Sequence, residues 1–442
     1  MKVAIIGAGI AGLAAGHEFT KRGHDVEIYE ASDKAGGRGQ LLNRPGTNDW
    51  ADVGSQYFHS NYSNALRIID EVGLTPKLKK IKGASRMFTG DGPEQSYLLS
   101  PRLPWMSPGG ISGNLKVALY LAKLLLKNRS HTFAAEAGQT PYDNELAMDS
   151  ASATFVQDHI VRMLTLIGGL SEPADHDVNM LQIYRLVKII LLTDYVSLEG
   201  GTATLHAELA KRANIHYNRP AKTLVTENGQ VTGFELETGE IVAADHVVVA
   251  AHAPRAAALV PPEWEQEKNY LSSIEMPPAI LVSLFLDCEL EKDVWTYFLP
   301  FEDRDNRNNV TFCVDTHQKS PGNTPSGKAT LQAWIISPQS EPLMGKSDDE
   351  LGKIARHDIA KYLPHVDNHI EGYAVTRHQN AIPQSSTGHN ERTLAFLDSV
   401  DQRHGVSFCG DYMSGGYMES ALWSVERAVK KFTDQQGLKL AA

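Results

Sequence analysis

Residues Val3 to Gly16, VAIIGAGIAGLAAG, constrain the fold more than any other stretch: a short apolar run breaks at Gly7, Gly9 and Gly12 and resumes at helical spacing. The pattern predicts a strand, a tight turn and a helix. The first glycine permits the turn, the second lets a pyrophosphate approach the backbone, and the third lets helix and strand pack closely. The helix would then present the free N–H groups around Ile10 and Ala11, and the positive end of its dipole, to an anion.

Three glycines at this spacing occur by chance in many loops, so the flanking chain matters. A second apolar run, Val26 to Tyr29, ends at Glu30, 18 residues after Gly12 and next to Ala31. A carboxylate there accepts ribose hydroxyls and repels a 2′-phosphate, which favours FAD or NAD over NADP. Two more glycine-bearing crossings follow, Gly36-Gly37-Arg38-Gly39 and Val53-Gly54-Ser55-Gln56-Tyr57-Phe58. Paired glycines admit a ligand that a Cβ would block, and Arg38 can meet a diphosphate or the ring system.

The rest of the chain reads as two interleaved parts. From about 81 to 196 helix formers dominate, with Pro101, Pro104, Pro108 and Gly109-Gly110 marking a loop before the first long helix. The stretch Phe133 to Asp149 reads as a loop. After Glu199-Gly200-Gly201-Thr202 come a helix, several short strands and the continuous apolar strand around Val247 to Val249, of the kind buried in a parallel sheet. A second strand-rich block, 276 to 380, includes Ile280–Phe285, Trp295–Leu299, Val310–Val314 and Ala329–Ile336, with a helix near Leu351–Tyr362. Last, a strand at Val406–Cys409 turns at Gly410-Asp411 and reopens as a helix at Tyr417-Met418-Glu419-Ser420-Ala421. Asp411 could accept ribityl or ribose hydroxyls there, and the N–H groups near Met418 to Ala421 could reach a pyrophosphate or ring.

A net charge of −11, with no dense Lys/Arg cluster, argues against a nucleic-acid partner. Cys288, Cys313 and Cys409 form no C-x-x-C pair, so neither a disulfide framework nor a metal site is expected, and a reducing, cytoplasmic setting fits. No signal peptide is indicated. The apolar helical segments Leu115–Leu126 and Leu186–Leu192 are short and interrupted or flanked by charged residues, and neither can span a bilayer. Leu115–Lys127 reads as a cationic amphipathic helix, suited to peripheral membrane contact, to the entrance for an apolar substrate, or to a core position with its lysines outward.

Four motifs stand in order: GAGIAG with Glu30, GGR at Gly36 to Arg38, EGG at Glu199 to Gly201, and GDYMSGGYMESA at Gly410 to Ala421. Together they resemble the FAD-dependent amine oxidase superfamily, which holds flavin monoamine oxidases, protoporphyrinogen oxidase-like proteins and carotenoid desaturases. The resemblance implies an α/β fold in which a Rossmann-type FAD-binding domain (1–80, 197–275 and 385–442) interleaves with an α+β substrate domain of mixed sheet plus helices (81–196 and 276–384). It places Gly7, Gly9, Ile10, Ala11, Gly12, Glu30, Ala31, Gly37, Arg38, Gly54, Ser55, Gln56, Ala221, Ala251, Gly410, Asp411, Met418, Glu419, Ser420 and Ala421 around the cofactor. Ala221 would meet adenine through its backbone, and Ser55 with Gln56 would lie near the isoalloxazine.

By the same resemblance Tyr417 is one wall of an aromatic cage before the ring, where it would orient an amine by apolar contact and ring-face electrostatics. Gln56, Tyr57, His378 and Tyr417 are the candidates at the reacting end, and Phe58, Tyr297, Trp334 and Tyr417 the candidate substrate pocket. The chain departs from the amine oxidases in one respect: their lysine on a substrate-domain strand has no counterpart in Ala279 to Phe285. No cysteine is placed to anchor the ring covalently, so the FAD is expected to be non-covalent. The stretch Arg377 to Gln384 with Gly388-His389 looks closer to the protoporphyrinogen-oxidase-like proteins.

The expected activity is that of an oxidase or dehydrogenase. It would take hydride from a C–N or C–C single bond of an amine or other mostly apolar small molecule onto flavin N5, with oxygen or another acceptor reoxidising the flavin. One alternative is a porphyrinogen-oxidase- or desaturase-like enzyme working on a lipophilic substrate at a membrane surface. The other is a flavin-binding protein without catalysis.

Overall fold

The computed structural model describes the chain except residues 45, 91, 101–104, 128–132, 134–140, 168–176, 301–307, 321 and 442. The opening run forms the strand Lys2–Ile6, at the centre of a five-stranded parallel sheet. On one side lie Asp25–Tyr29 and Ile215–His216, and on the other His246–Val249 and Val406–Phe408. The chain therefore leaves the centre in both directions, creating a switch point at the carboxyl end of the first strand, where open α/β sheets bind ligands. The strands at the core of this sheet are apolar throughout because helices cover both faces. Ile5, Ile28 and Val248 meet the helix Ile10–Lys21 and the C-terminal helix Met418–Ala441 on one side. Val247, Val249 and Phe408 meet the antiparallel hairpin layer of 221–243 and the helices Ala253–Leu259, Glu265–Ser272 and His389–Asp401 on the other.

A second sheet of seven strands is mixed, in the order Ile370–His378, Ala279–Leu286, Ala329–Ile335, Phe312–Asp315, Val294–Phe298, Ala84–Phe88, Ser96–Leu99. All its pairings are antiparallel except that of Ala84–Phe88 with Val294–Phe298. Strand 279–286 is buried on both faces. Ile280, Val282 and Leu284 pack under the helix Asp348–Ala360, whereas Leu281 faces inward with Trp295 and Trp334, as the two-residue period of a strand requires. The inner side is closed by the helices Gly110–Lys127 and Met180–Leu192.

Strand 370–378 and the helices at 253–272 and 389–401 have no clear periodicity in the sequence and emerge only from packing. Part of the loop read at 133–149 lies outside the described residues. Helix 110–127 buries Val117 and Leu124, but Ile111, Leu115, Leu119 and Leu126 remain 82%, 59%, 62% and 74% exposed. Its outward face is thus apolar, not only cationic. Among the described residues no helix is long and apolar enough to cross a membrane.

One long-range cap ties the layers together. The helix Ser63–Glu71 has no capping side chain of its own, and Glu419 supplies one from the start of the C-terminal helix. Its carboxylate accepts from the N–H groups of Asn64 and Ala65 at 2.8 and 3.0 Å and from Ser63 Oγ at 3.1 Å.

Candidate functional site

Between the two sheets runs one continuous cavity of about 630 Å³. Its first half is built from glycine turns. A Cβ on Gly12 would stand 1.8 Å from the Gly7 carbonyl oxygen, so only glycine lets the helix rise directly from the turn. Gly7 itself has φ +103°, a region that L side chains avoid. Gly9 has open space where a Cβ would project, and it lines the cavity beside Ile10 and Ala11. The second crossing packs on the first: a Cβ on Gly37 would meet Gly9 Cα at 3.2 Å. The N-terminus of helix 10–21 thereby opens onto the cavity with its unpaired N–H groups.

Glu30 stands at the end of its strand, as the spacing predicts. Its Oε2 accepts from the Ala8 N–H at 2.7 Å and its Oε1 from the Ser32 N–H at 2.9 Å, so the carboxylate also braces the glycine turn. Across the cavity Arg38 and Asp411 form a two-point ion pair at 2.9 and 2.8 Å, and Arg38 donates to the Ala381 carbonyl at 2.6 Å. Burial pulls the guanidinium down, but the Asp411 charge more than restores it, and the group lies above its ordinary range. Ala31, Gly54, Ser55, Gln56, Ala221, Ala251, Gly410, Met418 and Ala421 complete this half.

The second half is aromatic. Tyr57, Tyr195 and Trp295 meet at centroid distances of 5.0, 5.6 and 5.4 Å. Trp334 stacks on Phe312 at 5.7 Å, and Tyr417 stands edge-on to Phe133 at 5.7 Å while its hydroxyl donates to Gln182 Oε1 at 3.2 Å. Burial pushes the Tyr57 phenol up to about 12 and the Tyr417 phenol higher still, so neither is a base at neutral pH. His378 borders the cavity and donates from Nε2 to the Val53 carbonyl, leaving Nδ1 as its only accepting nitrogen. Its affinity for a proton is lowered by burial.

Five residues read from the sequence do not line this cavity. Phe58 is packed in the core beneath the parallel sheet, and Tyr297 lies in the core under helix 348–360. Glu419 is committed to capping, and Ser420 is fully buried beside it. Gly12 acts from underneath, through the room it leaves.

A family model for "Flavin containing amine oxidoreductase" matches residues 10–431. The chain belongs to this family. Among curated relatives of this flavoenzyme is the coproporphyrinogen III oxidase of Bacillus subtilis, 24% identical over 94% of this chain and 93% of that one. The zeta-carotene desaturase of Arabidopsis thaliana is 24% identical over 64% of this chain and 57% of that one. The cyclohexylamine oxidase of Brevibacterium oxydans shares the fold, with a TM-score of 0.72 at 18% identity and 99% of both chains covered.

The flavoenzyme is an FAD-dependent oxidoreductase, and its own residues fit that cofactor. The Gly7–Gly12 turn leaves backbone room for a diphosphate, Glu30 borders the same space with a carboxylate that can accept hydroxyls, and the second strand-turn-helix at 408–421 faces it too. None of the three cysteines lines the cavity, and Cys409 is buried with its thiol on the Ser424 carbonyl.

Several lining residues escaped the sequence reading. Trp295 reaches the cavity because the pairing of strand 294–298 with 84–88 shifts register between Val294 and Thr296. The bulge turns Trp295 and Thr296 inward and leaves Tyr297 outside, which no alternation in VWTYF reveals. Tyr195 and Phe312 sit on short strands with no distinguishing spacing.

Two outcomes are expected. Gly12→Ala forces the helix off the turn, costing on the order of 1–3 kcal/mol, and lowers Tm; Gly9→Ala leaves Tm unchanged but weakens FAD binding in a fluorescence titration, because its methyl enters the cavity. His59 and His389 are pushed down by burial from 6.5 to about 3. The unfolded chain therefore takes up these protons below 6.5 while the fold does not, so stability is complete above that pH and is lost as the pH falls toward 3. Thermal melts between pH 7 and 4.5 should show this decline, and His389→Gln should flatten it.

Proposed function

We propose that this FAD enzyme oxidises a C–N or C–C single bond of an uncharged, mostly apolar small molecule held against the aromatic half of the cavity. One observation carries the reading. Among the described lining residues the only Asp, Glu, Lys or Arg side chains are Glu30, Arg38, Arg255 and Asp411, all beside the cofactor segments, and the mixed sheet and its helices contribute none. Their contribution is mostly apolar, Leu121, Ile160, Met163, Leu164, Leu186, Val187 and the aromatic rings, with the uncharged polar groups Ser85 and Thr296 and the imidazole of His378.

A buried ammonium or carboxylate without a partner is too costly to be held there, so an amine would react as the free base. Bound FAD supplies the hydride acceptor, flavin N5. The chain supplies position: Tyr57, Trp295, Trp334 and Tyr417 confine the donor carbon, and the apolar walls exclude water. Oxygen or another acceptor then takes up the electrons. Three unpaired cysteines favour a reducing, cytoplasmic setting.

The test is anaerobic bleaching of the flavin with lipophilic monoamines, cyclic reduced compounds and diamines. Lipophilic substrates should reduce it, with amine rates rising with pH through the amine's own pKa; saturable reduction by a diamine at lower concentration than by any lipophilic compound overturns the reading.

A second reading, action on a lipophilic substrate at a membrane surface, is favoured by helix 110–127. Its segment GISGNLKVALYLAKLLLK contains no acid. Its exposed stripe of Ile111, Leu115, Leu119 and Leu126 is flanked by Lys116 and Lys123, and Leu121 of the same helix lines the cavity. The protein should float with anionic phosphatidylglycerol vesicles, and Leu115→Glu with Leu119→Glu should abolish flotation without changing Tm. Wild-type protein that stays at the bottom of the gradient refutes this second reading and leaves the first intact.

A further inference from the structure

Lys319 ends the short helix Thr316–Lys319, which follows strand 312–315 of the mixed sheet, and its side chain is completely buried. A lysine ammonium carries three donors, and three acceptors meet this one: Asp52 Oδ2 at 2.9 Å, the Gln56 carbonyl at 3.0 Å and Gln56 Oε1 at 2.9 Å. All three belong to the segment 52–57, whose Gly54, Ser55, Gln56 and Tyr57 line the cavity.

Residues 53–57 lie between strands Trp50–Asp52 and Phe58–His59 and carry no ladder of their own. Two backbone bonds, from Val53 N–H to the Gln40 carbonyl at 3.0 Å and from Ser55 N–H to the Arg38 carbonyl at 3.4 Å, tie it to the second glycine crossing, and side chains hold the rest. Gln56 Nε2 donates to the carbonyls of Asp52 and Gly54 at 2.9 and 3.2 Å. Asp52 Oδ1 accepts from Thr202 N and Oγ1 at 2.8 and 2.9 Å, and Thr202 Oγ1 also reaches the Ser55 carbonyl at 2.7 Å. Gln332 Nε2 joins the Asp52 carbonyl at 2.8 Å to Ser283 Oγ at 3.3 Å, on the strand that carries no lysine.

The Gln56 amide nitrogen is therefore spent inside its own loop, and its oxygen on Lys319. Ion pairs buried this deeply contribute little net stability over apolar side chains of the same volume. With every donor of the ammonium matched by an acceptor, what the pair does confer is a single geometry.

We propose that Lys319 is a positioning residue of the flavin site: it locks Gln56, and through it fixes the wall that Ser55, Gln56 and Tyr57 present to cofactor and substrate. The lock joins this wall to the mixed sheet, so the cofactor side and the substrate side are set by one ammonium. The inference rests on the reading of this cavity as the flavin site.

The test is titration of apoprotein with FAD, reading Kd and the visible absorption envelope of the bound flavin. Lys319→Met, and Lys319→Met combined with Asp52→Asn so that no unpaired carboxylate remains, should raise the Kd about tenfold and shift the envelope. Gln56→Leu cuts the same link from its other end and should reproduce the shift, with the Lys319→Met/Gln56→Leu pair no worse than either alone.

Lys431→Met is the comparison, because it removes an ammonium buried on the carbonyls of Val400 and Val406, outside the cavity. It should lower Tm and leave Kd and envelope unchanged. Unchanged flavin parameters in the Lys319 variants, or an equal shift in Lys431→Met, overturns the proposal. So does failure of both Lys319 variants to fold while Gln56→Leu keeps the wild-type envelope. Wild-type protein that binds no FAD refutes the flavin reading instead.

Discussion

The structure depends on a missing atom. At Gly12 a Cβ would overlap the Gly7 carbonyl oxygen at 1.8 Å, so the helix can leave the strand at this angle only because that atom is absent. The close approach directs the helix N-terminus at the switch point of the parallel sheet. It also leaves room for the second glycine crossing, Gly37 over Gly9, to settle on the first. Glu30 then reaches back to the Ala8 N–H and fixes the turn against the neighbouring strand. The room that this turn leaves for a diphosphate is a property of backbone spacing, with side chains as braces.

What the sequence made legible follows from this. Gly7 to Gly12, Gly37 and the turn at Gly410 act through local backbone geometry, and local geometry leaves a fixed spacing in the chain, at which Glu30 and Arg38 then stand. The mixed sheet was legible only as a set of strands, because its order depends on partners far apart in sequence. The face that each strand shows to the cavity depends on bulges such as the one at Val294 to Thr296. Glu419 sits in a motif read for its backbone N–H groups, and its carboxylate caps a helix some 350 residues away in the chain, a role the motif does not reveal. Lys319 left no signal at all. Its three acceptors lie in residues 52–57, and nothing in the stretch Thr316-His317-Gln318-Lys319 marks it for burial.

The two halves of the cavity divide the electrostatic labour. Among the described lining residues the charged side chains lie beside the cofactor segments, where Arg38 and Asp411 neutralise one another and Glu30 is held by backbone donors. Among the described lining residues the aromatic half carries no Asp, Glu, Lys or Arg, and its buried phenols and His59 are held neutral by desolvation. A charged substrate would have to surrender its hydration there without receiving a counter-ion. A neutral one gains the full apolar contact of the rings.

This division also gives the exposed helix 110–127 its meaning. A cavity selective for neutral, apolar molecules draws on compounds that are scarce in water and concentrated at lipid or hydrophobic protein surfaces. A helix with one side on the cavity through Leu121 and another side exposing Ile111, Leu115, Leu119 and Leu126 joins these two environments within a single element. The apolar area left in water has a free-energy cost of about 25 cal/mol per Å², and contact with such a surface removes it. On the proposed reading, the apolar aromatic half of the cavity and the apolar exterior of the helix are two consequences of one substrate chemistry.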